Sequence, residues 1–138
     1  MAKNKGLALR IIDANLNRSR EGLRVVEDCL RYVLNDKALY KKIREVRHDT
    51  DKILRDKYSE LIKMRDSVSD GGRNIPETQN KKLSEIVASN FKRAQESLRV
   101  LEEYSKILFP VASSLFKRQR YTVYSLEKSV YKKYKKIF

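Results

Sequence analysis

The chain has 138 residues, the size of one domain, and its formal net charge of +14 predicts affinity for anions, either nucleic acid or small phosphorylated ligands. One Cys and one His exclude a disulfide framework and a metal site built from several Cys or His, and 4 Gly with 2 Pro are too few turn residues for a β-sandwich or barrel. The sequence shows no apolar run of membrane-spanning length and no signal-peptide core at its N-terminus. We therefore expect a soluble, cytoplasmic helical protein.

The first half of the chain predicts two helices. Apolar residues recur at steps of three and four from about residue 7 to 34, the period of one helix face. Asn35 and Asp36 interrupt this pattern, and Asp36 can cap a second helix over about 37–64.

The second half predicts a loop and two further helices. The segment from Arg65 to Gln79 contains two glycines and a proline, so we interpret it as a loop. A third helix is predicted over about 81–108, where Pro110 stops it and suits the first turn of a fourth helix that continues to near Phe138. The sequence shows no alternation of period two, so no strand is predicted.

An internal repeat connects the two halves. Residues 15–27 read NLNRSREGLRVVE and residues 90–102 read NFKRAQESLRVLE, with identity at seven of thirteen positions. We therefore predict one all-α domain over 1–138, a bundle of two helical hairpins related by a pseudo-twofold axis. The hairpins are placed at about 7–64 and 80–138, joined by the loop 65–79.

Five of the seven identities in the repeat are polar, although a structural repeat usually keeps its apolar positions. One explanation is salt bridging along the helix, since Arg24 lies three residues from both Glu21 and Glu27. On this view Glu27 only braces Arg24, and Glu21 and Arg24 point away from the apolar face.

A second explanation is a ligand site at the margin of the apolar face. At 100° per residue, Asn15, Gly22 and Arg18 fall on the same edge of that face, and a small residue one turn from an arginine leaves room for a ligand. The second copy repeats this edge with Asn90, Ser97 and Arg93.

The loop and the single histidine have two interpretations each. The run Asp70-Gly71-Gly72 fits an ordinary turn in which glycine supplies a positive φ, but its backbone N–H groups could also hold phosphate and its Asp a Mg²⁺ ion. It lacks the Walker A pattern. His48 follows Arg47 on the second helix, where it is either a packed side chain or a functional one.

Several motifs together resemble one small enzyme family. They are RIIDANLNR from Arg10, REGLRVVED from Arg20, KRAQE from Lys92 and LRVLEEY from Leu98, with Arg47-His48, Arg65-Asp66, Asp70-Gly71 and the RYxxYxLE run from Arg120. The chain resembles the small hydroxymethylpyrimidine-phosphate kinases of thiamine biosynthesis, which occur alone or fused to thiamine-phosphate synthase. It departs from that family at Gly71, where a valine is expected, and would be the standalone form.

The resemblance implies a phosphotransferase that uses ATP and Mg²⁺ to convert 4-amino-5-hydroxymethyl-2-methylpyrimidine phosphate to the diphosphate. Arg18 and Arg93 are the predicted catalytic phosphate clamps, because a guanidinium grips two phosphate oxygens. The attacking phosphate oxygen is already ionised, so no general base is named. Further phosphate or substrate contacts are predicted at Asn15, Asn90, Arg47, His48, Arg65 and Arg120. The predicted metal contacts are Asp66, Asp70, Glu21 and Glu96.

Two other function classes compete with this one. A basic helical nucleic-acid-binding protein fits the net charge and the interleaved Tyr and Lys from Lys128 to Lys136, although the repeated Asn and Arg lie beside an apolar stripe. The second competing class is a non-catalytic module that binds a phosphorylated metabolite. The expected partners are small-molecule substrates, with a functional link to thiamine-phosphate synthase. Membrane binding is not expected, nucleic acid is disfavoured, and a homo-oligomer is left open.

Overall fold

A computed structural model describes residues 2–77 and 79–136 of the chain, and within them every regular element is helical. The predicted all-α fold is therefore confirmed. None of the described helices is both long enough and apolar enough to cross a membrane. The helices are α1 (Ala2–Asp28), α2 (Lys37–Ile53), α3 (Tyr58–Lys63), α4 (Leu83–Leu108) and α5 (Pro110–Lys133), with a π-helical turn at Cys29–Val33 and a 3₁₀ turn at Arg55–Lys57.

The predicted second helix is wrong in its length, because it breaks after Ile53. Leu54 leaves helical geometry at φ −121° and ψ 27°, and a 3₁₀ turn leads into the short α3. The break lets the chain bury both Leu54 and Leu61, which are 5% and 1% exposed. Burial of two leucines outweighs the few backbone hydrogen bonds that the break disrupts.

The two predicted junction residues are confirmed. The side chain of Asp36 caps α2 by accepting a hydrogen bond from the backbone N–H of Leu39 at 3.0 Å. Pro110 occupies the first turn of α5, where its missing N–H costs nothing. Asn35 takes a positive φ of 52° between α1 and α2, a conformation that asparagine tolerates better than most residues.

The core lies between α1 and α4, which pack most extensively on each other, with α2 and α5 along their outer sides. Ser19 of α1 and Ala94 of α4 are both completely buried, as expected where two helices approach closely. Large apolar side chains fill the remaining space, and each contributes roughly 1.5–3 kcal/mol by its burial. The largest fully buried side chains include Ile12, Leu23, Phe91, Leu98, Leu101 and Phe116.

Two ion pairs connect the long helices to their outer neighbours. Arg47 of α2 donates to the Glu27 carboxylate of α1 at 3.0 Å, and Arg120 of α5 donates to the Glu102 carboxylate of α4 at 2.9 Å. Glu27 and Glu102 are equivalent in the sequence repeat, so both halves use the same type of contact. The pseudo-twofold duplication itself stays a prediction.

Candidate functional site

The two arginines predicted as phosphate clamps line the same cleft. Arg18 of α1 and Arg93 of α4 border a cavity of about 500 Å³ between these helices, which we name the α1–α4 cleft. A volume of this size is typical of small-molecule sites. The other lining residues used below are Asn15, Glu77, Lys92, Glu96 and Ser97.

Asn15 supports Arg18 at the floor of the cleft. Its side-chain N–H donates to the Ile11 carbonyl at 2.9 Å, which fixes the amide, and its Oδ1 faces Nη1 of Arg18 at 3.5 Å. Ser97 is also held by its own helix, because its hydroxyl donates to the Ala94 carbonyl at 3.0 Å. Asn15 and Ser97 are thus rigid polar groups at the buried end, and the guanidinium of Arg18 extends from them toward solvent.

The cationic groups of the cleft are only lightly paired. Nη2 of Arg93 lies 3.4 Å from a carboxylate oxygen of Glu77, whose side chain is 78% exposed. Exposed pairs of this kind are worth at most about 1 kcal/mol, so an anion can displace them. Lys92 adds a third positive charge, and Glu96 is a second carboxylate at the rim. The sequence reasoning missed Lys92 and Glu77; the signal for Lys92 was its place beside Arg93 in the KRAQE motif.

The expectation that Gly22 leaves room for a ligand is wrong. Gly22 is buried against α4, and a Cβ built on it would lie 3.0 Å from the carbonyl oxygen of Asn90 and 3.6 Å from Cβ of Arg93. The missing side chain is therefore used for close helix packing. Asn90 does not line the α1–α4 cleft; its side-chain N–H donates to the Ile86 carbonyl at 2.8 Å.

The other predicted phosphate-binding arginines lie away from this cleft, each in its own ion pair. Arg65 makes a two-pronged pair with Asp13 of α1, at 2.8 and 2.9 Å, and this hydrogen bonding raises the pKa of Arg65. Arg120 donates to Glu102 and to the Tyr124 hydroxyl, and the hydrogen bond to Tyr124 is the main cause that raises the Arg120 pKa. The roles of Arg65 and Arg120 in phosphate binding stay predictions, and sequence reasoning did not foresee the Asp13 partner.

Arg47 and His48 line a separate cavity between α1 and α2. Arg47 is paired there with Glu27, which is only 4% exposed. The expectation that Glu27 only braces Arg24 is therefore wrong, since its carboxylate also accepts from α2. His48 is exposed on α2, and the roles of both residues in phosphate binding stay predictions.

The four predicted metal contacts are not gathered into one site. Asp66 accepts a hydrogen bond from the backbone N–H of Ser69 at 2.9 Å, the main cause that lowers the Asp66 pKa, and Asp70 accepts from the N–H of Gly72 at 3.0 Å. Glu21 is exposed on α1, whereas Glu96 lines the α1–α4 cleft. Within residues 2–77 and 79–136, no three His, Cys, Asp or Glu side chains form a group that could hold a metal ion. The roles of ATP and Mg²⁺ stay predictions.

The turn at Asp70 also differs from its predicted geometry. Among the described residues no glycine has a positive φ, so the expectation that Gly71 or Gly72 supplies one is wrong. The turn closes instead through the Asp70 side chain and through a hydrogen bond from the Arg73 N–H to the Asp70 carbonyl at 3.1 Å.

Comparison with known proteins identifies the family of this chain. The model of the ThiD2 family matches residues 10–129. Curated relatives include the thiamine-phosphate synthases of Nostoc punctiforme, 38% identical over 124 residues, and of Synechocystis, 38% identical over 121 residues. The alignments cover 88% and 86% of this chain, but 34% of each relative, so the chain spans about a third of their length. No solved structure matches the chain.

These names contradict the predicted reaction. The relatives are named for the synthesis of thiamine phosphate and not for the phosphorylation of hydroxymethylpyrimidine phosphate, so the predicted kinase function is wrong. The coarser prediction is confirmed, because both the family match and the relatives place the chain in thiamine biosynthesis. The chain therefore belongs to the ThiD2 family of thiamine biosynthesis.

Proposed function

We propose that this chain takes part in the synthesis of thiamine phosphate by binding a phosphorylated metabolite of that reaction in the α1–α4 cleft. The ligand we propose is thiamine phosphate itself, the compound for which the relatives are named. The relatives are synthases, so the chain would serve a transferase, with thiamine-phosphate synthase as its functional partner.

The convergence of Arg18 and Arg93 on one cleft carries this proposal. The two arginines come from different helices, α1 and α4, which pack on each other. A guanidinium matches the geometry of phosphate oxygens with two parallel hydrogen bonds, each strengthened by charge. Lys92 adds positive charge at the same place.

The buried end of the cleft supports binding of the uncharged part of a ligand. Asn15 is 4% exposed and Ser97 is 2% exposed, and the side-chain hydrogen bonds described above hold both in place. Rigid polar groups orient a ligand at a small entropic cost. The phosphate would then lie at the arginines near the rim, where less desolvation of its charge is required.

Calorimetric titration with thiamine phosphate and with thiamine tests the proposal. We expect thiamine phosphate to bind at least tenfold more tightly, because thiamine leaves the arginines without an anion. Arg18→Lys should weaken thiamine phosphate about tenfold or more, since lysine keeps the charge but loses the two-pronged geometry.

Arg20→Lys is the matched control, because Arg20 lies two residues along α1 and donates to Asn17 outside the cleft. Equal binding of thiamine and thiamine phosphate would refute the proposal. So would an equal loss of affinity in Arg18→Lys and Arg20→Lys, which would show that the guanidinium of Arg18 has no specific role in binding.

A further inference from the structure

A second basic cavity lies between α1 and α2, on residues that the α1–α4 cleft does not share. Its volume is about 390 Å³, within the range of small-ligand sites. We name it the α1–α2 cavity. It is lined by Arg24, Arg31, Arg44, Arg47, His48 and Tyr40, with Glu27 as its one acidic lining residue.

The charges around this cavity do not balance. Four arginines line the cavity with one carboxylate, that of Glu27, and Asp28, which is outside the lining, pairs with Arg24 at 3.1 Å. The local excess is therefore two positive charges even when Asp28 is counted. Like charges held close together in a concave site repel one another, and a bound anion with two or more negative charges removes that repulsion.

The second half of the bundle contains the equivalent ion pair, Arg120 with Glu102, and there the arginine is more fully covered. Arg120 corresponds to Arg47, but its guanidinium donates to the Tyr124 hydroxyl at 3.1 Å and lies 5.1 Å from the centre of the Tyr121 ring. In the first half the residue after the arginine is His48 instead of a tyrosine. The Arg47 side chain accordingly remains 13% exposed, against 7% for Arg120. Of these two pairs, the one in the first half is open to a ligand.

The backbone beside the cavity provides a second indication of a ligand site. Arg31 lies on the π-helical turn Cys29–Val33, and such turns occur frequently at functional sites. Its guanidinium lies 4.9 Å from the centre of the Tyr32 ring and 5.8 Å from that of Tyr40. These cation–π contacts hold Arg31 at the cavity without neutralising its charge.

We propose that the α1–α2 cavity is a second anion site, which binds the diphosphate group of a small metabolite. The excess of two charges favours a diphosphate over a single carboxylate. Four arginines outnumber the two rings in the lining, those of Tyr40 and His48, so charge on the phosphoryl groups is the main feature that the site recognises. This inference is independent of the function proposed for the α1–α4 cleft.

The single histidine of the chain makes the proposal directly measurable. His48 lines the cavity and is the only source of imidazole signals in a proton NMR spectrum. Inorganic pyrophosphate is titrated at constant pH, with sodium chloride holding the ionic strength fixed. We expect a saturable shift of the His48 signals that fits one site.

Two charge-removing variants decide between a built site and general surface charge. Arg44→Gln removes an exposed arginine of the cavity and should weaken pyrophosphate at least tenfold. Lys117→Gln is the matched control, because Lys117 precedes Arg120 by three residues as Arg44 precedes Arg47. It should leave the affinity within twofold of the wild type.

A third variant separates this site from the α1–α4 cleft. Arg18→Gln should leave the His48 titration unchanged, whatever its effect on thiamine phosphate. The proposal is overturned by the absence of a saturable shift, by equal weakening in Arg44→Gln and Lys117→Gln, or by no weakening in Arg44→Gln. Circular dichroism of each variant confirms that it is folded; if Arg44→Gln is not, Arg31→Gln, also an exposed cavity residue, takes its place.

Discussion

Gly22 of α1 lies directly against the main chain of Asn90 on α4, so closely that a Cβ built on Gly22 would be 3.0 Å from the Asn90 carbonyl oxygen. The neighbouring backbone N of Ala94 would be 3.5 Å from the same Cβ. The obstructing atoms belong to a packed helix, so they cannot rotate away as a side chain would. The missing side chain therefore sets how closely the two central helices approach.

Replacing Gly22 with valine should destabilise the protein by roughly 1–3 kcal/mol, the usual cost of forcing extra methyl groups into a packed interface. Denaturant unfolding followed by circular dichroism measures the loss. Gly71→Ala is the control, because nothing lies within 4 Å of a Cβ built at Gly71. A stability of Gly22→Val equal to that of wild type would show that α1 and α4 can separate at little cost.

Removing Glu102 should be among the most damaging single changes in the chain. Its side chain and that of its partner Arg120 are 9% and 7% exposed, so Glu102→Ala leaves a guanidinium buried without its counter-charge. Such losses cost about 3–5 kcal/mol. Glu103→Ala is the control, because Glu103 is the next residue and its side chain is exposed. This change should cost less than about 1 kcal/mol. Thermal unfolding of the two variants in parallel gives the comparison, and similar midpoints would contradict it.

Glu27→Ala should cost less than Glu102→Ala, although the two glutamates are equivalent in the repeat. Arg47 borders the open α1–α2 cavity, where water can solvate a guanidinium that has lost its partner. The Arg120 guanidinium lies against the rings of Tyr121 and Tyr124, and its side chain is 7% exposed, against 13% for Arg47. The same unfolding experiment ranks the two, and a reversed order would mean that the cavity does not relieve the charge on Arg47.

Most of the fold was predictable because the apolar period and the junction residues agree with each other. Asp36 and Pro110 each mark a helix start, and the steps of three and four between them define the buried faces. The break at Leu54 was not predictable from this pattern, since Leu61 continues the apolar face of the preceding helix in sequence. Only the shape of the core decides that Leu54 and Leu61 are buried through a bend.

The candidate site was predictable in part, because helical periodicity also shows which residues share one edge of a helix. The repeat and the helical angle place Arg18 and Arg93 on equivalent margins, and the structure brings these two residues to one cleft. The angle of a residue on its helix does not give its distance to the next helix. Gly22 was therefore predicted to leave room for a ligand, whereas in the structure it packs against α4. Pairs far apart in sequence, such as Asp13 with Arg65, leave no local pattern at all.

Asp36 should make the stability of the protein depend on acid pH. Hydrogen bonds from Lys133 and Tyr134, both at 2.6 Å, lower the pKa of the Asp36 carboxyl from 3.8 to about 2. Because the folded pKa is the lower one, the carboxylate contributes stability above about pH 4, and this contribution is lost as the pH falls toward 2. Its size is of the order of 2 kcal/mol.

Asp36→Asn isolates that charge, because asparagine caps a helix about as well as aspartate. The free energy of unfolding is measured for both proteins from pH 6 to about 2, a range that spans both pKa values. The difference between them should be constant at the upper end and shrink as the pH approaches 2. A difference that stays the same at all pH values would show that Asp36 does not interact with Lys133 and Tyr134 in solution.

The affinity of the α1–α4 cleft for thiamine phosphate should rise when Glu77 loses its charge. The Glu77 carboxylate lies 3.4 Å from Arg93 and competes with an incoming phosphate for the same guanidinium. Glu77→Gln removes both this competition and a like-charge repulsion from the ligand. Since an exposed pair is worth at most about 1 kcal/mol, we expect the dissociation constant to fall roughly two- to fivefold. Calorimetric titration measures the change.

Glu60→Gln provides the matched control for this last prediction, because Glu60 is exposed on α3 and does not line the cleft. It changes the net charge by the same amount, so any general effect of charge on anion binding appears equally in both variants. A gain confined to Glu77→Gln assigns the phosphate to Arg93. Equal gains in both variants would contradict that assignment, and weaker binding in Glu77→Gln would mean that Glu77 holds Arg93 in the position from which it reaches the ligand.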